Sequence, residues 1–230
     1  MKQREFLDDF EQSGRHWFRH AMPERELAVL DNVANLHGKA GERIELQSAL
    51  RDVLAKDSAL GHIMSLFGPA LEPVRIVAFD KTQAKNWGVP WHQDRVICVP
   101  ERHELPAFVN WSKKSGIWHC EPSTDILEKM FFVRVHLDRG EPEDGAMRIA
   151  VGSHKEGVVA AVAAGSVAER YPVEECRADR GDILVLKMLT LHSSSRSLTT
   201  RSRRVFRVDY ASPDLLPWPL SWHGIPPRMA

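Results

Sequence analysis

Val89-Pro90-Trp91-His92-Gln93-Asp94 offers an imidazole and a carboxylate two residues apart. In an extended segment, residues i and i+2 project to the same side. His92 and Asp94 therefore converge on one small target while Gln93 points away. Neutral imidazole and carboxylate are good ligands for iron, manganese or zinc, so a divalent metal fits that target. Two ligands are not a site, and a His-x-Asp triplet is common by chance. The reading turns on whether the chain supplies a third ligand and a use for the metal.

The composition narrows the classes. With 230 residues, 43% of them hydrophobic, the chain is long enough for one domain with a sizeable core. Its 31 basic and 31 acidic residues cancel, which gives no electrostatic pull toward nucleic acid or an acidic membrane surface. Cys98, Cys120 and Cys176 stand at unrelated spacings and read as buried free thiols, not a disulfide framework. Residues 1–6 are charged where a signal peptide needs an apolar run, and the longest weakly polar stretch, 158–168, is too short to span a bilayer. The expectation is a cytoplasmic protein without a membrane segment.

Along the chain, helices come first. Phe6, Leu7 and Phe10 recur at helical spacing before Gly14. Residues 16–19 read as a short strand, and Pro23 with Glu24 and Glu26 starts a second helix. A helical block runs over 46–67, with Asp57 or Ser58 as an internal cap. From residue 73 the pattern turns to strands: 74–79, 95–99, 131–137, 146–151, 183–186 and 204–210. Residues 100–122 read as irregular, 124–130 as a short helix and 156–170 as helical. The tail, with prolines at 213, 217, 219, 226 and 227, reads as an irregular cover. This predicts a mainly β domain with helices packed on one face: a helical part over 1–70, a β core over 71–212 and a covering tail over 213–230.

A third imidazole, His192, follows the apolar run 183–186 and precedes Ser193-Ser194-Ser195. Arg203 stands eleven residues on, near the start of the returning strand. The order His92-x-Asp94, Gly152-Ser153-His154, Gly181-Asp182, His192, Arg203 resembles the phytanoyl-CoA dioxygenase family. That resemblance covers roughly residues 70–212 and implies a double-stranded β-helix, a cupin-like jelly roll of two facing sheets. It also implies Fe(II), 2-oxoglutarate and O₂ as cofactor and co-substrates. His92, Asp94 and His192 fall on the metal triad, and Arg203 falls on the residue that holds the distal carboxylate of 2-oxoglutarate. The implied reaction is hydroxylation of a small molecule with release of succinate and CO₂. Asp94 keeps a carboxylate where related halogenases carry a small residue.

The physical chemistry agrees. Two histidines and one carboxylate leave three positions of an octahedral iron open. A buried far carboxylate demands a cation, and the planar fork of arginine suits it. Two rivals stand beside this reading. His136-Leu137-Asp138 is a second His-x-Asp, out of order for the resemblance, and Arg204 competes with Arg203, although alternation lets only one face inward.

Other pocket candidates are Lys81, Asn86, Trp87, Trp91, Arg134, His136 and Arg148. Arg134 and Lys81 are candidates for contact with 2-oxoglutarate; Trp87, Trp91, Arg148 and His136 are candidates for the substrate. A structural ion pair is the alternative for Arg134. Arg201 and Arg207 read as solvated. Arg134, Lys81 and Arg148 favour an anionic or amino-acid-like substrate. The alternatives from other classes are a non-catalytic jelly-roll binding protein and a zinc or manganese enzyme that ignores 2-oxoglutarate.

Overall fold

Phe6 and Phe10 bury one face of α1 (Gln3–Ser13), and Gly14 ends that helix at φ 71°. The structure is a computed structural model describing residues 3–36, 39–46 and 48–224. β1 (Arg15–Phe18) follows, then α2 (Glu24–Val33), which starts directly after Pro23. β2 (Gly41–Arg43) was not expected; three residues are too few to reveal a period. The block over 46–67 is two short helices, α3 (Ser48–Val53) and α4 (Ala59–Ser65). Ser58 is the internal cap, its hydroxyl accepting from the Gly61 N–H at 3.1 Å.

The strands then run β3 (Glu72–Lys81), β4 (Val89–His92), β5 (Ile97–Val99), β6 (Val109–Lys114) and β7 (Ile117–Glu121). After α5 (Thr124–Leu127) come β8 (Phe131–His136), β9 (Met147–Ala150), α6 (Ala164–Ala168), β10 (Val173–Glu175), β11 (Ile183–Lys187), β12 (His192–Ser194) and β13 (Arg203–Ala211). A six-stranded sheet has the order β1-β11-β8-β13-β3-β2, and a four-stranded sheet the order β10-β9-β12-β4. The fold is a jelly roll.

Period-two alternation divides the large sheet between two cores. Phe131, Val133 and Val135 of β8, with Phe206 and Val208 of β13, pack on Phe10, Leu30, Leu50 and Leu60 of the helices. Phe132, Leu184 and Leu186 face the other way, toward Met147 and Ile149 of the smaller sheet. The N-terminal helices thus cover the outer face of one sheet, and the space between the sheets is left for a site.

Three expectations need correction. Residues 100–122 are not irregular: β6 and β7 form a hairpin joined at Ser115 and Gly116, both with positive φ, and β5 pairs on its other side. A register shift between Val109 and Ser112, with Asn110 at φ 56°, interrupts the alternation that would have marked β6. The stretch 156–170 is short 3₁₀ turns and the five-residue α6. Its alanines offer little apolar stripe to bury, and short helices are marginal without one. Only Ile97–Val99 of the strand expected over 95–99 is extended. Of the tail, Leu216, Leu220 and Trp222 are buried on the inter-sheet core, while Pro226 and Pro227 lie outside the described residues. The three cysteines are free and buried, and no described helix is long and apolar enough to cross a membrane.

Candidate metal centre

β12 lies between β9 and β4, and its register sets His192 directly opposite His92. The two imidazole centroids are 4.2 Å apart. Nε2 of His192 is 3.2 Å from Oδ2 of Asp94, and Nε2 of His92 is 3.9 Å from Oδ1. One ligand atom from each residue lies within 4.8 Å of the others. The triad read from sequence is therefore assembled in space.

The histidine tautomers suit a metal. Nδ1 of His92 is 2.9 Å from the Pro90 carbonyl, and Nδ1 of His192 is 2.9 Å from the Thr190 carbonyl. A carbonyl only accepts, so each Nδ1 carries the proton, which leaves each Nε2, on the Asp94 side, as the atom a metal would take. Burial, then the neighbouring His192, lowers the pKa of His92 and keeps it neutral. Two imidazoles held through Nδ1 and a carboxylate, their donor atoms convergent, fit a divalent first-row metal. Gln93 points away, as its parity requires. Its Nε2 donates to the carbonyls of Gly157 and Leu189 at 2.8 and 2.7 Å, and its Oε1 accepts from the Val159 N–H at 2.8 Å. That clamp fixes the backbone between the two ligands.

Arg207 was not foreseen at this site. It is buried rather than solvated, because it shares strand parity with Arg203 and so faces inward. Its Nη1 donates to Oδ2 of Asp94, and its Nε donates to Oδ1 of Asp209 at 2.7 Å. Asp209 also accepts from Arg75 at 3.2 Å. Burial opposes the charge on Asp94, but Arg207 first and then His192 outweigh it and hold the carboxyl well below its usual range. Burial likewise opposes the charge on Arg207, and Asp209 and Asp94 more than compensate. The signal available in the sequence was the alternation Arg203, Val205, Arg207, Asp209.

A cavity of about 300 Å³ opens beside the triad, lined among others by Lys81, Trp87, Arg134 and Arg203. Arg203 and Lys81 are direct partners across β13 and β3. Arg203 is 6% exposed and Arg134 8% exposed, and the buried Nε of each has no hydrogen-bond partner among the described residues. Among the described residues no acid is ion-paired with Arg134. Burial, Arg203 and Arg207 pull the Arg134 pKa down to about 9, still charged at neutral pH. Lys81 donates to the Ser195 carbonyl at 2.8 Å and sits 5.1 Å from the Trp87 ring centroid. Burial, Arg203 and Arg134 lower its pKa to about 8.

The remaining candidates go elsewhere. Arg204 faces outward and pairs with Asp138 at 2.7 Å and Asp31 at 2.9 Å. This also removes Asp138 from any second metal triplet. His136 is buried with both ring nitrogens unpartnered, and its ring lies 5.6 Å from that of Trp17, outside the cavity lining. Trp91 and Arg148 are not in that lining: Trp91 packs beside Ala150 and Val159, and the Arg148 guanidinium is 5.5 Å from its ring. Asn86 clamps Ser197, donating to its carbonyl at 2.6 Å and accepting from its N–H at 2.7 Å. Arg201 is exposed but pairs with the buried Asp144 at 3.0 Å.

Comparison with known proteins agrees with this geometry. The structure of EctD from S. alaskensis with 2-oxoglutarate and 5-hydroxyectoine superposes with a TM-score of 0.69 at 15% identity, covering 96% of this chain and 84% of that one. AviO1 from Streptomyces viridochromogenes Tue57 gives 0.64 at 18% identity, with 95% and 98% covered. HygX from Streptomyces hygroscopicus with iron bound gives 0.62 at 18% identity, with 92% and 87% covered. At these identities the likeness is one of fold. The chain finds no match among curated protein sequences. The family model described as Phytanoyl-CoA dioxygenase (PhyH) matches residues 15–205. Because that match spans most of the chain and includes all three convergent ligands, the chain belongs to the phytanoyl-CoA dioxygenase family.

Proposed function

We propose that this protein is an iron(II)- and 2-oxoglutarate-dependent dioxygenase that hydroxylates a small anionic or amino-acid-like molecule. The observation that carries the reading is Arg203: a buried guanidinium with no ion-pair partner among the described residues, opening into the cavity that His92, Asp94 and His192 share. A buried unpaired cation is costly and calls for an anion. The far carboxylate of 2-oxoglutarate supplies one, and EctD is a protein of this fold crystallised with that molecule.

When bound, iron(II) with 2-oxoglutarate and O₂ supplies the oxidising chemistry: a C–H bond becomes C–OH while the keto acid becomes succinate and CO₂. The chain's own residues bind and orient. His92, Asp94 and His192 hold the metal from one side and leave positions free for ligands. Arg203 anchors the far carboxylate, with Lys81 as a second cation beside it. Trp87 and Val89 wall the cavity and keep water from it. The helices share one core with the large sheet, so we treat the whole chain as one catalytic domain. Free buried thiols suit a reducing cytoplasm.

A charge count supports an anionic substrate. Arg75, Lys81, Arg134, Arg203 and Arg207 line the cavity, and Asp94 and Asp209 oppose them. Iron(II) and the 2-oxoglutarate dianion cancel each other, so three positive charges remain for the substrate to meet.

The test is succinate formation from iron(II), 2-oxoglutarate and O₂ without substrate. Slow turnover in the wild type should vanish in His92→Ala. Equal backgrounds in both would sink the reading. Hydroxylation is checked by a product that gains one oxygen atom from ¹⁸O₂.

A further inference from the structure

A second cavity of about 310 Å³ lies at the edge of the large sheet, where β2 pairs with β3 and the tail crosses β5. Its walls are apolar over Ile44, Leu46 and Val74. Arg43 and Arg75 reach into it from one face of the sheet, since Arg43 pairs with Val77 and Arg75 shares the parity of Val77. Arg75 is the residue that lines both this cavity and the metal cavity.

The charges here are unbalanced. Arg43 is half-buried, and its polar partners are the Cys98 thiol and Nε2 of His119 at 3.2 Å. Neither is an anion: burial pushes the Cys98 thiol up and pulls His119 down. The single carboxylate of Asp209 serves both Arg75 and Arg207. Nδ1 of His223, also in this lining, is buried without a partner. Among the described residues, the only acid in the lining is Glu45, which is exposed.

We propose that the second cavity seats the acidic end of the substrate, an organic acid with an apolar body that extends past Arg75 toward the metal. Arg43 binds the acid, Ile44, Leu46 and Val74 cover the apolar part, and Arg75 marks the passage. The proposal deepens the oxygenase reading and depends on it for what happens to the bound molecule, but not for the binding itself.

The experiment uses octanoate and its neutral isostere octanamide, titrated calorimetrically into the full chain with iron(II) and 2-oxoglutarate under argon, and again without them. Octanoate is expected to bind in both conditions and octanamide about tenfold or more weaker, as loss of a charge-assisted hydrogen bond requires. Arg43→Gln should weaken octanoate by about the same factor and Arg43→Lys should restore most of it. Thermal melts confirm that each variant folds. Ile44→Phe narrows the cavity without touching a charge and should also weaken octanoate. Equal affinity for acid and amide, no binding of either, or indifference to both Arg43→Gln and Ile44→Phe would overturn the proposal. Failure of the oxygenase reading appears separately, as no iron-dependent succinate from the wild type.

Discussion

Arg207 and Asp94 are joined across the jelly roll: the guanidinium of β13 donates to the Asp94 carboxylate beyond β4, while Asp209, two residues along the same strand, holds the other side of that guanidinium at 2.7 Å. A carboxylate that ligates a metal through one oxygen must have its orientation fixed through its other contacts. Arg207 supplies that contact from the opposite sheet. The two sheets are thus tied together at the proposed metal site.

Removing this contact should loosen the metal. Arg207→Leu is expected to lower iron(II) or manganese(II) affinity by about 10- to 100-fold, in the range seen for such outer partners of metal ligands. Arg207→Lys should recover part of it through its charge alone. Metal titration under argon reads both. Unchanged affinity in Arg207→Leu would show that Asp94 is oriented by its backbone and Gln93 clamp instead.

The two neighbouring arginines should separate cleanly. Arg203 is buried toward the cavity; Arg204 faces outward onto Asp138 and Asp31. Arg203→Met is expected to raise the 2-oxoglutarate dissociation constant by about a hundredfold, within the cost of deleting one partner of a buried charge pair. Arg204→Met should leave that constant alone and cost about 1 kcal/mol of stability, since its pairs are partly solvated. Equilibrium binding and denaturant melts distinguish the two, and the opposite pattern would reassign the anchor.

Lys81 should impose a pH dependence on co-substrate binding. Its folded pKa is depressed to about 8 by burial and by Arg203 and Arg134. Below that value the ammonium adds to the attraction for a carboxylate; above it the charge is lost while Arg203 keeps its own. Affinity for 2-oxoglutarate is therefore expected to fall as pH rises through about 8, with the break moved upward in the complex because the anion favours the charged lysine. Stability should run the other way. Between about 8 and the ordinary lysine value of 10.5 the unfolded chain binds a proton that the folded chain does not, so stability rises with pH across that window. Lys81→Met should flatten both curves. A wild-type affinity that is level from pH 7 to 9 would remove Lys81 from the binding of 2-oxoglutarate.

What was legible in the sequence follows from period and spacing. His92 and Asp94 needed only the two-residue repeat of an extended chain, and β8 announced itself by its aromatic and β-branched residues, Phe131, Phe132, Val133 and Val135, around Arg134. Arg203 followed from its distance to His192 through a known family pattern. The inward position of Arg207 was encoded in the same alternation, but four arginines within seven residues look like a solvated cluster until the strand's two faces are assigned. Trp91 sits between the pocket residues Val89 and His92 in sequence and yet packs on the opposite side of β4, against Ala150 and Val159. The β6–β7 hairpin was hidden because its turn is Ser115-Gly116, not the stronger Asn-Gly signal, and its first strand is bulged. The second cavity was illegible altogether: it depends on the approach of Arg43, Cys98 and His223, which no local period links.

Arg134 ties the charge surplus to stability. It is 8% exposed, has no ion pair among the described residues, and neighbours Arg207 directly across the β8–β13 ladder. Without an anion in the cavity it is an uncompensated buried cation. Arg134→Met keeps similar bulk and removes the charge, so it should stabilise the ligand-free protein by about 1–4 kcal/mol, the range for apolar replacement of buried ionic groups. The same substitution should weaken, without erasing, the preference for an acidic substrate over its neutral analogue, since Arg43 and Arg75 still meet the acid, a stability gain made at the expense of recognition. Denaturant melts measure the first effect; competition between an acid and its amide in stimulating succinate release measures the second. A less stable Arg134→Met would mean that Arg134 has an anionic partner in solution, and the count of three surplus charges would fall.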